Sequence, residues 1–489
     1  MTKRPPLIFS AFNEFVLSHH DHGAWRRPDS RQTELNTTGY WIDLAKLLER
    51  GRFDFLFFAD VLAPYDFYRG TRDAAIATGM QTPVNDPAVL IPILAHETTD
   101  LSFALTENIL QEPPYTFARK ISTLDHLSGG RIAWNIVTSF LPGAGRNLGH
   151  PGLPSHEERY GRAEDYVTAA YKLWEASWED DAVIADRERG IYTDPSKVHT
   201  VDHVGPYYDV PGPHLTEPSP QRTPFLFNAA ASGTGIEFAG KHAEVLFTSG
   251  GRDSAPASIR TLRAAAVAAG RAASDVKILG GLGVVVGSTE QEARRLDAEL
   301  REIQSLESIL VKLSGFWQED LSRYELASTV ADILNDGSPG PLAKQVLSGA
   351  PDVSWSFETL LRWAANRHVV GTPEQVADEI DAWQDAGIDG LNLQYLVSPG
   401  SFEDFVDQVR PVLVERGTMR AEYQPGTARE KVTGSGPSLP ERHPARRIRA
   451  DLAERRAAGL PLNADAPAVD TSRVDPPPID AHHPIEERA

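Results

Sequence analysis

Short apolar runs alternate with stretches of helical spacing along most of this chain. Runs at 7–15, 53–60, 101–109, 131–139, 225–231, 244–248, 276–286 and 390–397 are bounded by glycine, proline or polar clusters. Near-continuous apolar runs of this length suit strands covered on both faces. Between them, apolar residues recur at three- and four-residue intervals, as in Trp41, Leu44, Leu47 and Leu48 before Gly51. Further helical stretches open at Asp86-Pro87 and Pro113-Pro114, run from His156 to Trp178, and occupy 232–241, 255–269, 290–313, 372–387 and 401–416. Asp86 before Pro87 and Thr372 before Pro373 are cap and first-turn signals. Eight strands alternating with helices predict an α/β fold, a (β/α)8 TIM barrel.

The alternation fails in three places. Residues 179–224 are rich in Asp, Gly, Pro and Tyr without helical period and read as an excursion outside the barrel, built as a hairpin. Residues 314–370 are mixed and read as a second, partly helical insertion. From about residue 426 the chain is dominated by Pro, Arg and Ala. The expectation is one barrel domain over 1–425 and a C-terminal tail over 426–489, extended or disordered, with one helix around 448–458.

Composition narrows the function. With 48 Lys plus Arg against 68 Asp plus Glu, the formal charge is −20, which argues against a nucleic-acid surface. The absence of cysteine excludes disulfides, thiolate nucleophiles and Cys-ligated metals. No stretch approaches 18 uninterrupted apolar residues and the N-terminus lacks a signal-peptide core, so neither membrane insertion nor export is expected and the cytoplasm is the expected compartment.

Candidate chemistry gathers at predicted strand ends and helix starts, the catalytic rim of a TIM barrel. Asp60 ends the second strand, and Thr106 and Asn135 lie near the ends of the third and fourth. Each also suits an ordinary cap or satisfied turn. His156 and Tyr160, four apart with Arg159 beside them, share a helical face, as would any solvated first turn. Ser232-Gly233-Thr234-Gly235 follows a strand and opens a helix, where backbone amides favour an anion. It lacks the third glycine of a dinucleotide fingerprint and the lysine of a P-loop. His20-x-His22 after the first strand opens a rival reading, a metal-dependent TIM-barrel hydrolase. No later strand end offers a matching His.

Taken together these segments resemble the luciferase-like flavin-dependent monooxygenases of the nitrilotriacetate, pristinamycin and dibenzothiophene-sulfone type. The resemblance rests on HHDHGAWRRPDS (19–30), FDFLFFADVL (53–62), LDHLSGGRIAWNIVTS (124–139), HEERYGRAEDYVTAAYKLWEASWEDDAVI (156–184), KVHTVDHVGPYYDVPGP (197–213), FAGKHAEVLFT (238–248) and FEDFVDQVRPVLVERGTMRAEY (402–423). It implies a two-component monooxygenase that uses reduced FMN and O2 to insert one oxygen atom into a small organic substrate, in the sulfone, amine, aminocarboxylate or haloaromatic class. It also implies an NAD(P)H:flavin reductase supplying the reduced FMN by diffusion, and a homo-oligomer, dimer or tetramer. By the resemblance Asp60, Thr106, Asn135, His156, Tyr160 and Ser232 contact the cofactor, and no metal is required. His20, His22 and His156 are candidates for steering or proton transfer, since imidazoles titrate near neutrality. Phe12, Trp25 and Trp134 are candidates for an apolar lining. The chain departs from the family at Asn228 to Ser232, where a Gln and a Gly usually precede the serine, and at Glu107-Asn108. A related barrel transferring hydride from a deazaflavin and a flavin-binding barrel without turnover are the remaining alternatives.

Overall fold

Alternation of inward- and outward-facing side chains along eight parallel strands closes a ring. In the computed structural model, which describes residues 4–229, 232–248 and 250–462, the strands are β1 (Ile8–Glu14), β2 (Phe55–Ala59), β3 (Ser102–Asn108), β4 (Ile132–Val137), β5 (Phe225–Ala229), β6 (Val245–Phe247), β7 (Lys277–Val286) and β8 (Gly390–Gln394). Each pairs in parallel with its successor, and β8 returns to β1. The TIM barrel expected from the pattern is therefore present. Ile8, Phe55, Phe57, Ala104, Ala133, Phe225, Phe227 and Leu279 fill its interior. The opposite set, among them Phe9, Leu56, Phe58, Phe103, Leu105 and Trp134, packs against the helices. At the closing seam a Cβ on Gly390 would lie 2.4 Å from the Ile8 carbonyl oxygen, so only glycine lets β8 approach β1 so closely.

The helices that matter below are α1 (Pro87–Glu97), α2 (Pro114–Ser128), α3 (His156–Tyr171), α4 (Gly233–His242), α5 (Glu290–Ile303), α6 (Leu306–Trp317) and α7 (Pro444–Ala457). Local chemistry sets their ends. Asp86 caps α1 by accepting from Ala88 N, Ser155 caps α3 by accepting from Glu158 N, and Ser232 caps α4 by accepting from Gly235 N.

Three expectations change. The excursion at 179–224 holds two short hairpins, Val183–Asp186 with Ile191–Thr193 and His203–Val204 with Asp209–Val210. The predicted single helix over 290–313 is two, because Ser305 caps a new helix while its N–H donates to the His22 carbonyl at 2.9 Å. The second insertion thus starts at α6, and with helices Val330–Asp336, Pro341–Ser348 and Phe357–Ala365 it builds its own core over the strand ends.

The tail differs most. The helix expected around 448–458 is present over 444–457, but residues 428–433 are helical as well and both segments pack on the barrel. Arg429 is fully buried, pairs with both carboxylate oxygens of Glu244 at 2.7 and 2.9 Å, and donates to the carbonyls of Thr223 and Pro224. A stretch poor in apolar residues folds here because its burial is polar and satisfied, which composition does not reveal. The part of the expected tail at 463–489 lies outside the described residues.

Candidate functional site

A cavity of about 870 Å³ opens at the C-terminal ends of the strands, near the upper end of the usual range for small-molecule sites. Its floor is aromatic. Phe12 of β1 stacks on Phe57 of β2 at 5.8 Å, and Phe57 meets Phe247 of β6 edge-on at 5.1 Å.

Above this floor, register sets polar groups side by side. Thr106 and Asn135 are partners across β3 and β4, and Asn135 Nδ2 donates to Thr106 Oγ1 at 2.9 Å. Asn135 Oδ1 is left without a partner among the described residues, as are Asn228 Oδ1, Asn392 Oδ1 and the Tyr65 hydroxyl, all on residues lining the cavity. An unmet buried polar atom costs about 1–3 kcal/mol, so this floor suits a ligand rich in hydrogen-bonding groups, such as a heterocycle.

The rim where α3 meets α4 has another character. His156 Nε2 lies 3.0 Å from Ser232 Oγ, and the His156 and Tyr160 rings are 4.9 Å apart. Tyr160 rests edge-on against Phe238 of α4 at 5.7 Å. Arg159 lines the cavity beside them, donates to the Pro154 carbonyl at 2.8 Å, and has no ion-pair partner among the described residues. Glu158, its neighbour, is taken by Arg162. A guanidinium without a carboxylate, a serine hydroxyl and the first amides of α4 make an anion site.

A third group lies beneath the second insertion. Glu14 ends β1 pointing inward and fully buried, with both carboxylate oxygens accepting from Gln81 Nε2 at 2.7 and 2.8 Å. Burial pushes its pKa up to about 7. Burial, reinforced by Glu14, pushes Asp60 up to about 8. Lys312 of α6 reaches down to donate to the His19 carbonyl at 3.1 Å and stands 3.2 Å from His20 Nδ1. Burial brings its pKa down to about 7. His19 and His20 are held well below the ordinary imidazole range, first by burial and then by Lys312.

Asp60, Thr106, Asn135, His156, Tyr160, Ser232 and His20 therefore line one cavity. His22 does not. It adopts a positive φ of 48° that turns it away, and it is buried against the second insertion. Trp134 is core, packed on Phe117 and donating to the Glu107 carbonyl. Trp25 lies outside the lining and reaches the Thr78 carbonyl, whereas Phe12 lines the floor as expected. Among the described residues no three His, Asp or Glu side chains are grouped to hold a metal ion. Lys312 Nζ, 3.2 Å from His20 Nδ1, also occupies the position a metal would need at that nitrogen.

Arg159 lies beside His156 and Tyr160 as the sequence suggests, whereas Glu14, Gln81, Tyr65, Lys312 and Phe316 are further site residues that no motif marks. Period two along β1 puts Glu14 on the same face as Ile8 and Phe12, so its signal was present. Nothing local in the insertion marks Lys312.

A family profile described as luciferase-like monooxygenase matches residues 15–390. The long-chain alkane monooxygenase of Geobacillus thermodenitrificans is 44% identical over 453 residues, covering 92% of this chain and 99% of that protein. The dimethyl-sulfide monooxygenase of Hyphomicrobium sulfonivorans is 39% identical, covering 96% of this chain and all of the relative. The crystal structure of DmoA from Hyphomicrobium sulfonivorans superposes with a TM-score of 0.86 at 39% identity, covering 91% of this chain and 96% of the other.

Proposed function

The chain belongs to the luciferase-like monooxygenase family, and on that premise we propose that it is the oxygenase component of a two-component, FMN-dependent monooxygenase. It inserts one atom of O2 into a small organic substrate. The observation that carries this reading is one cavity with an anion site at the α3–α4 rim and unmet hydrogen-bonding groups above its aromatic floor. These fit the two ends of FMN. Ser232, Arg159, His156 and the first amides of α4 would hold the phosphate, and Tyr160, Asp60, Thr106 and Asn135 would hold the ring system.

The chemistry supplied by bound reduced FMN is the two-electron reduction of O2, one atom going to the substrate and the other to water. This chain's residues bind, orient and keep water out. Asp60, held protonated at neutral pH, offers an O–H donor to the cavity. His20, neutral and with Nδ1 turned to Lys312, offers its Nε2–H. Such fixed donors stabilise negative charge developing on oxygen without reorganisation.

Reduced FMN comes from a separate NAD(P)H:flavin reductase by diffusion, which agrees with a cavity open at the rim. The chain acts in the cytoplasm. No helix among the described residues is long and apolar enough to cross a membrane. Oligomerisation, as a dimer or tetramer, is assigned to α1, which is apolar throughout from Pro87 to Ala95 and leaves Val89 and Ile93 exposed. Val89→Asp with Ile93→Asp yields a monomer in sedimentation velocity if this is the contact, and leaves the mass unchanged if it is not.

The decisive experiment is anaerobic titration of the full chain with reduced FMN, followed by turnover under 18O2 with an added reductase. Micromolar binding and product carrying one 18O atom are expected. Stoichiometric metal without flavin binding would instead favour the hydrolase reading, and flavin binding without product under any substrate the non-catalytic one.

A further inference from the structure

The two ends of the cavity differ in chemistry. At the α3–α4 rim stands Arg159, the single Lys or Arg among the lining residues described. The opposite end is walled by the second insertion and is apolar. Tyr65 from the loop after β2, Phe140 from the loop after β4 and Phe316 of α6 meet with ring centroids 6.0 to 6.5 Å apart, and the Phe140–Phe316 pair is stacked. Leu62 and Leu342 extend the same wall. Phe316 and Leu342 are 45% and 41% exposed. Isolated exposed apolar residues are ordinary, but two that face one cavity mark a contact surface.

Among the described residues no cation is available at this end. Lys312 is engaged by the His19 carbonyl and His20, and Glu14 and Asp21 offset its charge. The ionisable groups that do line it are Glu14, Asp60, His19 and His20, and burial keeps both imidazoles neutral. A substrate bearing several carboxylates would shed its hydration against aromatic rings and find no cation to pair with, a costly exchange. An uncharged molecule meets neither penalty and gains from covering the wall.

We infer that this end of the cavity takes an uncharged substrate with an apolar body, a hydrocarbon or dialkyl sulfide and not an aminocarboxylate, and that the second insertion selects it through Phe316 and Leu342. The inference rests on the proposed function for giving the opposite end to FMN.

The test separates the two. Binding of dibutyl sulfide and of nitrilotriacetate to the full chain is first measured calorimetrically without flavin. The sulfide should bind and the tricarboxylate should not. Phe316→Asp should weaken the sulfide by about ten-fold or more, whereas Phe316→Leu stays within about three-fold. Leu342→Asp, at an exposed helical position, should show the same loss and guards against misfolding of the first variant. Equal or tighter binding of nitrilotriacetate overturns the inference, as does unchanged sulfide affinity in both Asp variants. Turnover with reduced FMN and O2 follows. Sulfide that binds as expected yet gives no sulfoxide counts against the oxygenase function alone, the binding having already supported the chemistry of the pocket.

Discussion

At the scale of single residues, the cavity is governed by groups whose protonation is set by burial. Lys312 is the clearest case, because its N–H donating to His20 Nδ1 leaves the ring proton on Nε2 and so sets which atom is offered to the cavity. Lys312→Met should therefore lower kcat by about ten-fold, the usual scale for losing an orienting partner, with reduced-FMN affinity unchanged. Nitrogen NMR of His20 should pass from a pure Nε2–H form to a mixture, a change that a general loss of packing would not produce. Asp60 gives a stability test. Its pKa rises from an ordinary 3.8 to about 8 in the fold, so the native state holds a proton that the unfolded chain releases. Whatever Asp60 contributes is present below about pH 4 and is lost as pH climbs to 8. Asp60→Asn keeps the acceptor for Val61 N and carries no such penalty. In urea unfolding it should match the native chain near pH 4 and exceed it by on the order of 5 kcal/mol at pH 8. A constant difference across that range would show that Asp60 does not titrate as assigned.

At the scale of elements, the α3–α4 rim acts as one unit: the Ser155 cap aims His156, the Ser232 cap aims the first turn of α4, and the two caps meet through His156 and Ser232. If this unit holds a phosphate, Arg159→Met should weaken reduced FMN by about ten-fold, in line with the worth of a charge-assisted pair. It should leave reduced riboflavin, which has no phosphate, unchanged. Equal losses for both would move Arg159 to the ring. This unit was legible in the sequence, since strand ends, caps and an i,i+4 pair are local signals. So were the eight strands and the place of Asp60, Thr106 and Asn135 on one rim. His22 was misplaced because its direction depends on a left-handed backbone turn that no neighbouring residue announces. Lys312, Phe316 and Leu342 went unseen for a different reason. They come from an insertion whose register on the barrel is set by its own core, a tertiary fact with no short-range pattern.

At the scale of the whole molecule, the barrel is closed by different means at its two ends. The second insertion covers the C-terminal face and holds the chemistry. Residues 427–433 cover the opposite face, where Ala428 N donates to the Gly130 carbonyl and Arg429 locks onto Glu244. The division follows the general partition of such barrels into a catalytic top and a stabilising bottom, and it makes a prediction about independence. Arg429→Met leaves Glu244 buried without its cation, which should cost about 3–5 kcal/mol. Glu244→Gln in the same chain removes that stranded charge and should recover part of the loss, measured as the denaturant midpoint at constant slope. Because Arg429 touches no residue of the cavity lining, the folded fraction of Arg429→Met should bind reduced FMN and turn over as the native chain does. A fall in kcat per folded molecule would mean that the bottom of the barrel is coupled to its top, and that the tail belongs to the active machinery as well as to the fold.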